Sequence, residues 1–238
     1  MTAPQKKIIS PNVFFNREIP KMNYHNGYPW PRIDIKTFQQ YTDIPLTEDY
    51  TFHSMDYLDT AEALPIFEKQ AEIIIKHNYK NIIDVGCRIG RINEVLHDMD
   101  YTDYNYMGFD TSREPILYAN ALWEEFNNIE YRQASWENKK EIAVDFQVDC
   151  VIWSASLLYA EAGHMNLFED ITSSFYKSKG SIIQEPCEEQ PHDKWIKNLK
   201  MHTIEPELHY YSEKYDVETH IVNADIFSGK RKILDIQL

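Results

Sequence analysis

From Asn81 to Glu185 the chain alternates short apolar runs with stretches of helical period, and few folds accept that rhythm. The runs Asn81–Val85, Asn105–Phe109, Ile129–Gln133, Val148–Trp153 and Ser181–Glu185 read as strands. Helical stretches stand between them, from Ile89 to His97, from Ser112 to about Asn127 and from about His164 to Lys177. A further helix opens with Asp59-Thr60-Ala61-Glu62 and carries Leu64, Phe67, Ala71, Ile74 and Ile75 at helical spacing up to His77. Pro65 falls in its early part, where proline is tolerated. Strands that alternate with helices form a parallel sheet covered on both faces. The end of the chain breaks the rhythm: Val217–Val222 and Lys232–Leu238 both alternate and are joined by a segment with Ser228-Gly229, which reads as an antiparallel hairpin. The fold class is therefore α/β, an open, mostly parallel seven-stranded sheet with a C-terminal antiparallel hairpin.

A chain of 238 residues holds one α/β domain with an appendage. The appendage is residues 1–55, an aromatic-rich arm (NYHNGYPWPRID) without sustained helical period, and the domain runs over 56–238. The opening MTAPQKKIISPNVFF lacks the apolar run of a secretory signal. Cys150–Ala160 is too short to cross a bilayer, which takes roughly 20 residues. Cys87, Cys150 and Cys187 fit a reduced, cytoplasmic compartment better than a disulfide framework, and they lack zinc-ligand spacing, so no metal site is expected. The net charge of -14 disfavours broad contact with nucleic acid. Residues 1–50 hold six Lys/Arg and five Asp/Glu, so the acidic excess lies in the rest of the chain.

Glycine is scarce, seven in all, and two of the seven flank the turn after the first strand in DVGCRIGRINEVL. A strand-to-helix turn at the carboxyl edge of a parallel sheet is where such folds bind ligands. Glycine there permits unusual dihedrals and close approach of a ligand to the backbone. A dinucleotide site uses G-x-G-x-x-G, but the position two beyond Gly86 is Arg88. The pattern is D-x-G-x-x-x-G, which argues against a nicotinamide dehydrogenase.

On these residues the sequence resembles the class I, Rossmann-like methyltransferases, whose first motif runs acid-x-G-x-G-x-G. Asp84, Gly86 and Gly90 match it, and Arg88 replaces the middle glycine. YMGFDTSREPILYANA resembles the second motif, with Asp110 20 residues beyond Gly90, a separation at which an acid reaches ribose hydroxyls. Its two oxygens can accept from both hydroxyls, and Thr111-x-x-Glu114 has the form of a capping box that fixes the loop presenting it. DCVIWSASLLY resembles the fourth motif, and KGSIIQEP the fifth strand after a glycine turn. The resemblance covers roughly residues 55–238 and implies S-adenosyl-L-methionine as cofactor. The contacts it implies fall on Asp84, Gly86, Cys87, Arg88, Gly90, Asp110, Thr111, Ser135, Trp136 and Trp153. Two departures stand out. A left-handed Arg88 costs roughly 1 kcal/mol; its side chain is expected to turn outward, as surface arginines commonly do, the alternative being a pair with the cofactor's carboxylate. After the third strand, where the family often has an acid, this chain has Gln133, Ala134, Ser135 and Trp136.

Methyl transfer from a sulfonium needs alignment more than a nucleophile, and a base only if the acceptor arrives protonated. Candidates at the fourth and fifth strand ends are Trp153, Ser154, Tyr159 and Glu185, with His164 and His192 as further bases. Each also has a plain reading: packing for the aromatics, a solvated residue before Pro186 for Glu185, surface loops for the histidines. The family places acceptor specificity outside the core, here in the arm and in an insert over 187–215, both aromatic-rich and suited to a small acceptor. Lys194, Lys197 and Lys200 in that insert share one helical side, either a solvated face or a contact for an anionic acceptor. A small-molecule methyltransferase, transferring methyl to oxygen or nitrogen of a metabolite or sugar-like acceptor, is the leading expectation. An RNA or protein methyltransferase and a silent methyltransferase-fold subunit, which Arg88 and the weak third motif would suit, are the alternatives. Oligomeric state does not follow from the sequence.

Overall fold

The computed structural model describes residues 24–25, 28–29, 63–111, 113–135, 142–154, 176–186, 205–224 and 230–238. Within the arm, β1 (Tyr24–His25) and β2 (Tyr28–Pro29) form a two-stranded antiparallel pair. The domain follows as α1 (Leu64–Lys76), β3 (Asn81–Val85), α2 (Arg91–Asp98), β4 (Asn105–Asp110), α3 (Arg113–Trp123), β5 (Ile129–Gln133), β6 (Cys150–Ser154), β7 (Gly180–Pro186), α4 (Glu205–Ser212), β8 (Asp216–Asn223) and β9 (Lys230–Gln237). The seven-stranded sheet has the order β5-β4-β3-β6-β7-β9-β8. Its first five members pair in parallel, while β9 pairs antiparallel to both β7 and β8.

Alternate residues of each strand build the two core layers. Ile82, Tyr106, Cys150, Ile152, Ile182 and Ile233 face one side, under α1, α2 and α3. Ile83, Val85, Met107, Phe109, Val151, Trp153, Ile183 and Leu234 face the other, where Ile142, Tyr176 and Tyr211 of α4 cover them. Burial on both faces is why the central strands read as continuous apolar runs. Each fully buried isoleucine contributes roughly 1.5–3 kcal/mol relative to exposure.

The elements differ from the sequence reading mainly at their ends. Helix α2 starts at Arg91 and not Ile89, because Gly90 at its N-cap is left-handed (φ 70°). Helix α3 stops at Trp123 and not near Asn127: Phe126 folds back, its N–H donating to the Trp123 carbonyl, and its ring packs on Trp123 and His97. Helix α4 lies inside the insert, beyond the stretch over Lys194–Lys200 to which the sequence reading gives a helical side. The expected helix from His164 to Lys177 lies outside the described residues except at its last two positions, where Tyr176 and Lys177 are not helical. Most of the arm also lies outside the described residues. None of the described helices is long and apolar enough to cross a membrane.

Candidate functional site: the turn at the switch point

Strand order reverses between β3 and β6: from β3 the chain winds one way through β4 and β5, and from β6 the other way through β7. In open α/β sheets such a reversal opens a crevice beyond the carboxyl ends of the strands. The turn after β3 enters it with three left-handed residues, Gly86 (φ 72°), Arg88 (φ 54°) and Gly90 (φ 70°). The N–H groups of Gly86 and Cys87 both donate to the Phe109 carbonyl, at 2.8 and 3.1 Å, and the Gly90 N–H closes the turn on the Cys87 carbonyl at 2.8 Å. The Arg88 N–H donates to Asp110 Oδ2 at 3.2 Å. A charged acceptor of this kind offsets the left-handed arginine, and it ties the first motif to the acid at the end of β4.

Gly90 is fixed twice over. A Cβ there would lie 2.1 Å from the Tyr131 hydroxyl as well as meeting the left-handed backbone. Its role is to let α2 approach β5 closely, which is the packing task of the last glycine in such turns. Tyr131 in turn accepts a hydrogen bond from Asn93 Nδ2 at 2.6 Å, and Tyr104 donates to Asn93 Oδ1 at 2.9 Å.

Asp84 is 5% exposed. The Tyr106 hydroxyl donates to its Oδ2 at 2.8 Å, while Oδ1 is buried without a hydrogen-bond partner. Burial is the main cause that pushes this carboxyl up to about 7; the Tyr106 bond works downward and the Asp110 charge upward. Asp110 is also buried, so two acids stand at the turn. The Cys87 thiol is raised well above its ordinary range, by burial first and then by the charges of Asp84 and Asp110, so it stays protonated.

The structure sorts the remaining candidates. Cys87 points its sulfur into the core layer under α2, against Gly108, so only its backbone belongs to the turn. Trp153 is fully buried in the opposite layer with Val85 and Phe109, and its bulk serves packing because β6 is covered on both faces. Arg88 is half-buried, with its Nε shielded, and does not splay into solvent. Thr111 is exposed beyond β4, its carbonyl accepting from Gln133 Nε2 at 3.2 Å, and Ser135 is half-buried past the end of β5. Glu185 lies on β7 in register with Lys232. Trp136, Tyr159, His164, His192 and the lysine row Lys194, Lys197 and Lys200 lie outside the described residues.

Sequence reasoning passed over Gln70 and Gln184. Both are fully buried, and Gln70 Nε2 donates to Ser154 Oγ at 2.6 Å across from α1 to the end of β6. The available signal was a polar residue at an apolar position: Gln70 falls on the face that carries Phe67 and Ile74, and Gln184 ends an isoleucine pair. Tyr106, whose hydroxyl tunes Asp84, gave no signal, because its partner is 22 residues away.

The family model described as "Methyltransferase domain" matches residues 76–233. The chain belongs to this methyltransferase family. Its cofactor is accordingly S-adenosyl-L-methionine. Solved structures share the fold at low identity. The methyltransferase domain of bacterial CtHen1-C is 16% identical with a TM-score of 0.59, the match covering 74% of this methyltransferase and 98% of that chain. The N-methyltransferase NodS from Bradyrhizobium japonicum WM9, in complex with S-adenosyl-L-homocysteine, is 10% identical with a TM-score of 0.58, covering 85% and 96%. The magnesium protoporphyrin IX methyltransferase of Synechocystis PCC 6803, with bound S-adenosylmethionine, is 12% identical with a TM-score of 0.54, covering 79% and 86%. No curated protein sequence matches the chain.

Proposed function

We propose that this methyltransferase moves the methyl group of S-adenosylmethionine to a small-molecule acceptor at the carboxyl edge of its sheet. One observation carries the reading: two buried carboxylates, Asp84 and Asp110, stand at a left-handed turn on the switch point. The cofactor brings an α-ammonium and a ribose diol, and these donors fit that pair. Asp84 Oδ1, buried without a donor, suits the ammonium. Asp110 keeps the Arg88 N–H and has lone pairs enough for the ribose hydroxyls. Gly86, Cys87, Arg88 and Gly90 contribute backbone, and Thr111, Ser135 and Trp136 the adenine side.

When bound, the cofactor supplies an electrophilic methyl group on a positively charged sulfur. The protein's part is to hold the acceptor in line with it, and effective molarities for such alignment reach ~10⁵–10⁸ M. Asp84 takes its charged form beside the ammonium and releases its proton. Glu185 at the end of β7, with Tyr159 and His164 beyond β6, are the candidates to orient or deprotonate the acceptor. The acidic balance of the chain, -14, supports a small acceptor over nucleic acid, and two structural neighbours are named for N-methyl transfer and for a porphyrin. The free thiols Cys87 and Cys150 support residence in the cytoplasm.

Isothermal titration with S-adenosylhomocysteine tests the cofactor site. Binding in the micromolar range is expected, weakened about 100-fold in Asp110→Ala, since losing charged hydrogen bonds removes about 3 kcal/mol. No binding to the wild type overturns the reading. Label transferred from methyl-tritiated cofactor to total RNA, and to no small acceptor, overturns the small-molecule part.

A further inference from the structure

Past Asp84, the face of the sheet under α1 carries a second polar group that the cofactor reading does not use. Ser154 at the end of β6 stands in register with Gln184 on β7, and Gln70 reaches Ser154 from α1. Gln70 and Gln184 are both 0% exposed and Ser154 is 8%. Gln70 Oε1 is buried without a hydrogen-bond partner, and so are both the oxygen and the nitrogen of the Gln184 carboxamide. Leaving such atoms unmatched destabilises a fold, so three of them together at the ligand edge call for an occupant.

We infer that Gln70, Ser154 and Gln184 form the acceptor subsite, and that it recognises a neutral polyhydroxylated molecule; this rests on the methyltransferase reading of the crevice. The position follows from register: Ser154 ends β6 and Gln184 stands beside it on β7, two residues before that strand's end, on the far side of the switch point from the cofactor turn. The chemistry follows from the inventory of groups. The Gln184 nitrogen and the Ser154 hydroxyl offer donors, while Gln70 Oε1 and Gln184 Oε1 offer acceptors. Every hydroxyl of a polyol both donates and accepts, so two adjacent hydroxyls match this mixed set. A phosphate or carboxylate supplies only acceptors and leaves both glutamine oxygens unmatched. None of the three residues is charged. Arg231, buried on the same side of β9, has an interaction of its own in the fold. A subsite built from hydrogen bonds rejects analogues that lack the matching group, which gives it selectivity.

The test uses the full chain with methyl-tritiated S-adenosylmethionine and two sets of probes. Methyl β-glucopyranoside, N-acetylglucosamine and myo-inositol are the neutral set; glucose 6-phosphate and glucuronate are the anionic set. Label is expected in at least one neutral probe. Gln184→Leu should raise the KM for that probe at least about 30-fold and Ser154→Ala about 10-fold, with the Kd for S-adenosylhomocysteine within about twofold of wild type. Leucine also removes unmatched polar atoms, so the melting temperature of ligand-free Gln184→Leu should rise by about 3 °C. A fall in melting temperature overturns the subsite, because it means the carboxamide is already satisfied, for example by a bound water. Transfer only to anionic probes, or to no probe while S-adenosylhomocysteine still binds, overturns it as well. Loss of S-adenosylhomocysteine binding by the wild type would instead strike the underlying reading.

Discussion

Two buried aspartates sit at opposite ends of the same sheet and have opposite fates. Asp149, just before β6 at the amino edge, accepts from the N–H groups of Lys80 and Asn81 and from Asn81 Nδ2, and pairs with Lys179 at 2.6 Å. Burial pushes its carboxyl up, but the Lys179 bond and those N–H groups outweigh this and hold it below its ordinary value. Asp84, at the carboxyl edge, receives only the Tyr106 hydroxyl and is pushed up to about 7. The amino edge is closed by its own partners, including Asp235, which holds His77 at 2.8 Å and Lys76. The carboxyl edge leaves Gln70, Asp84 and Gln184 with unmatched atoms. An edge that is complete in itself stabilises the fold; one that is incomplete has capacity to spare for a ligand.

The largest test of this contrast is Asp84→Asn without cofactor. A folded carboxyl near 7 against an ordinary value near 3.9 means the folded state holds the proton more tightly. The stability this group contributes is therefore full below pH ~4 and is lost as pH rises to ~7. Wild type should lose on the order of 4 kcal/mol over that window through this group, and Asp84→Asn should not. Equal pH slopes in denaturant titrations of the two proteins would show that Asp84 is not held neutral.

Gly90→Ala comes next, at about 3 kcal/mol of destabilisation, combining the left-handed backbone with overlap on Tyr131. A melt unchanged within error would mean that the turn adapts, and that the carboxyl edge is softer than its hydrogen bonds indicate.

At the amino edge, Asp149→Ala should cost about 2 kcal/mol at pH 7, because buried N–H groups lose their acceptor. For a carboxyl held low the sign is reversed: its contribution is present above the unfolded value and disappears as pH falls through the folded one. The variant and wild type should therefore converge toward acid, and a gap that persists at low pH contradicts the assignment.

Tyr106→Phe is the smallest, about 1 kcal/mol. It removes the one donor that lowers Asp84, so the titration midpoint of Asp84, followed by carboxyl-carbon NMR, should move further up. A downward move would break the proposed link between the two residues.

Much of this was open to reading along the chain. Asn81–Val85 and Ile129–Gln133 coincide with their strands to the residue: the first is buried on both faces and shows as an apolar run, while the second, at the sheet edge, alternates buried Ile129 and Tyr131 with exposed Glu130 and half-buried Arg132. The spacing of Gly86 and Gly90 marked the turn, because few residues other than glycine adopt its backbone. Cys87 and Trp153 show the limit. Sequence order put both beside the cofactor, but strand alternation and the pull of the two core layers turned their side chains inward. Gln70 and Ser154, 84 residues apart, meet only once α1 is docked on the sheet.

By itself the sequence determined the α/β rhythm, the left-handed turn and the acid that follows it, because hydrophobic period and backbone sterics act over a few residues. Only the tertiary structure decided which acid is charged, which side chains face the crevice and which polar atoms lack a partner. Desolvation and hydrogen bonding depend on neighbours brought in from distant parts of the chain, and no local pattern records them.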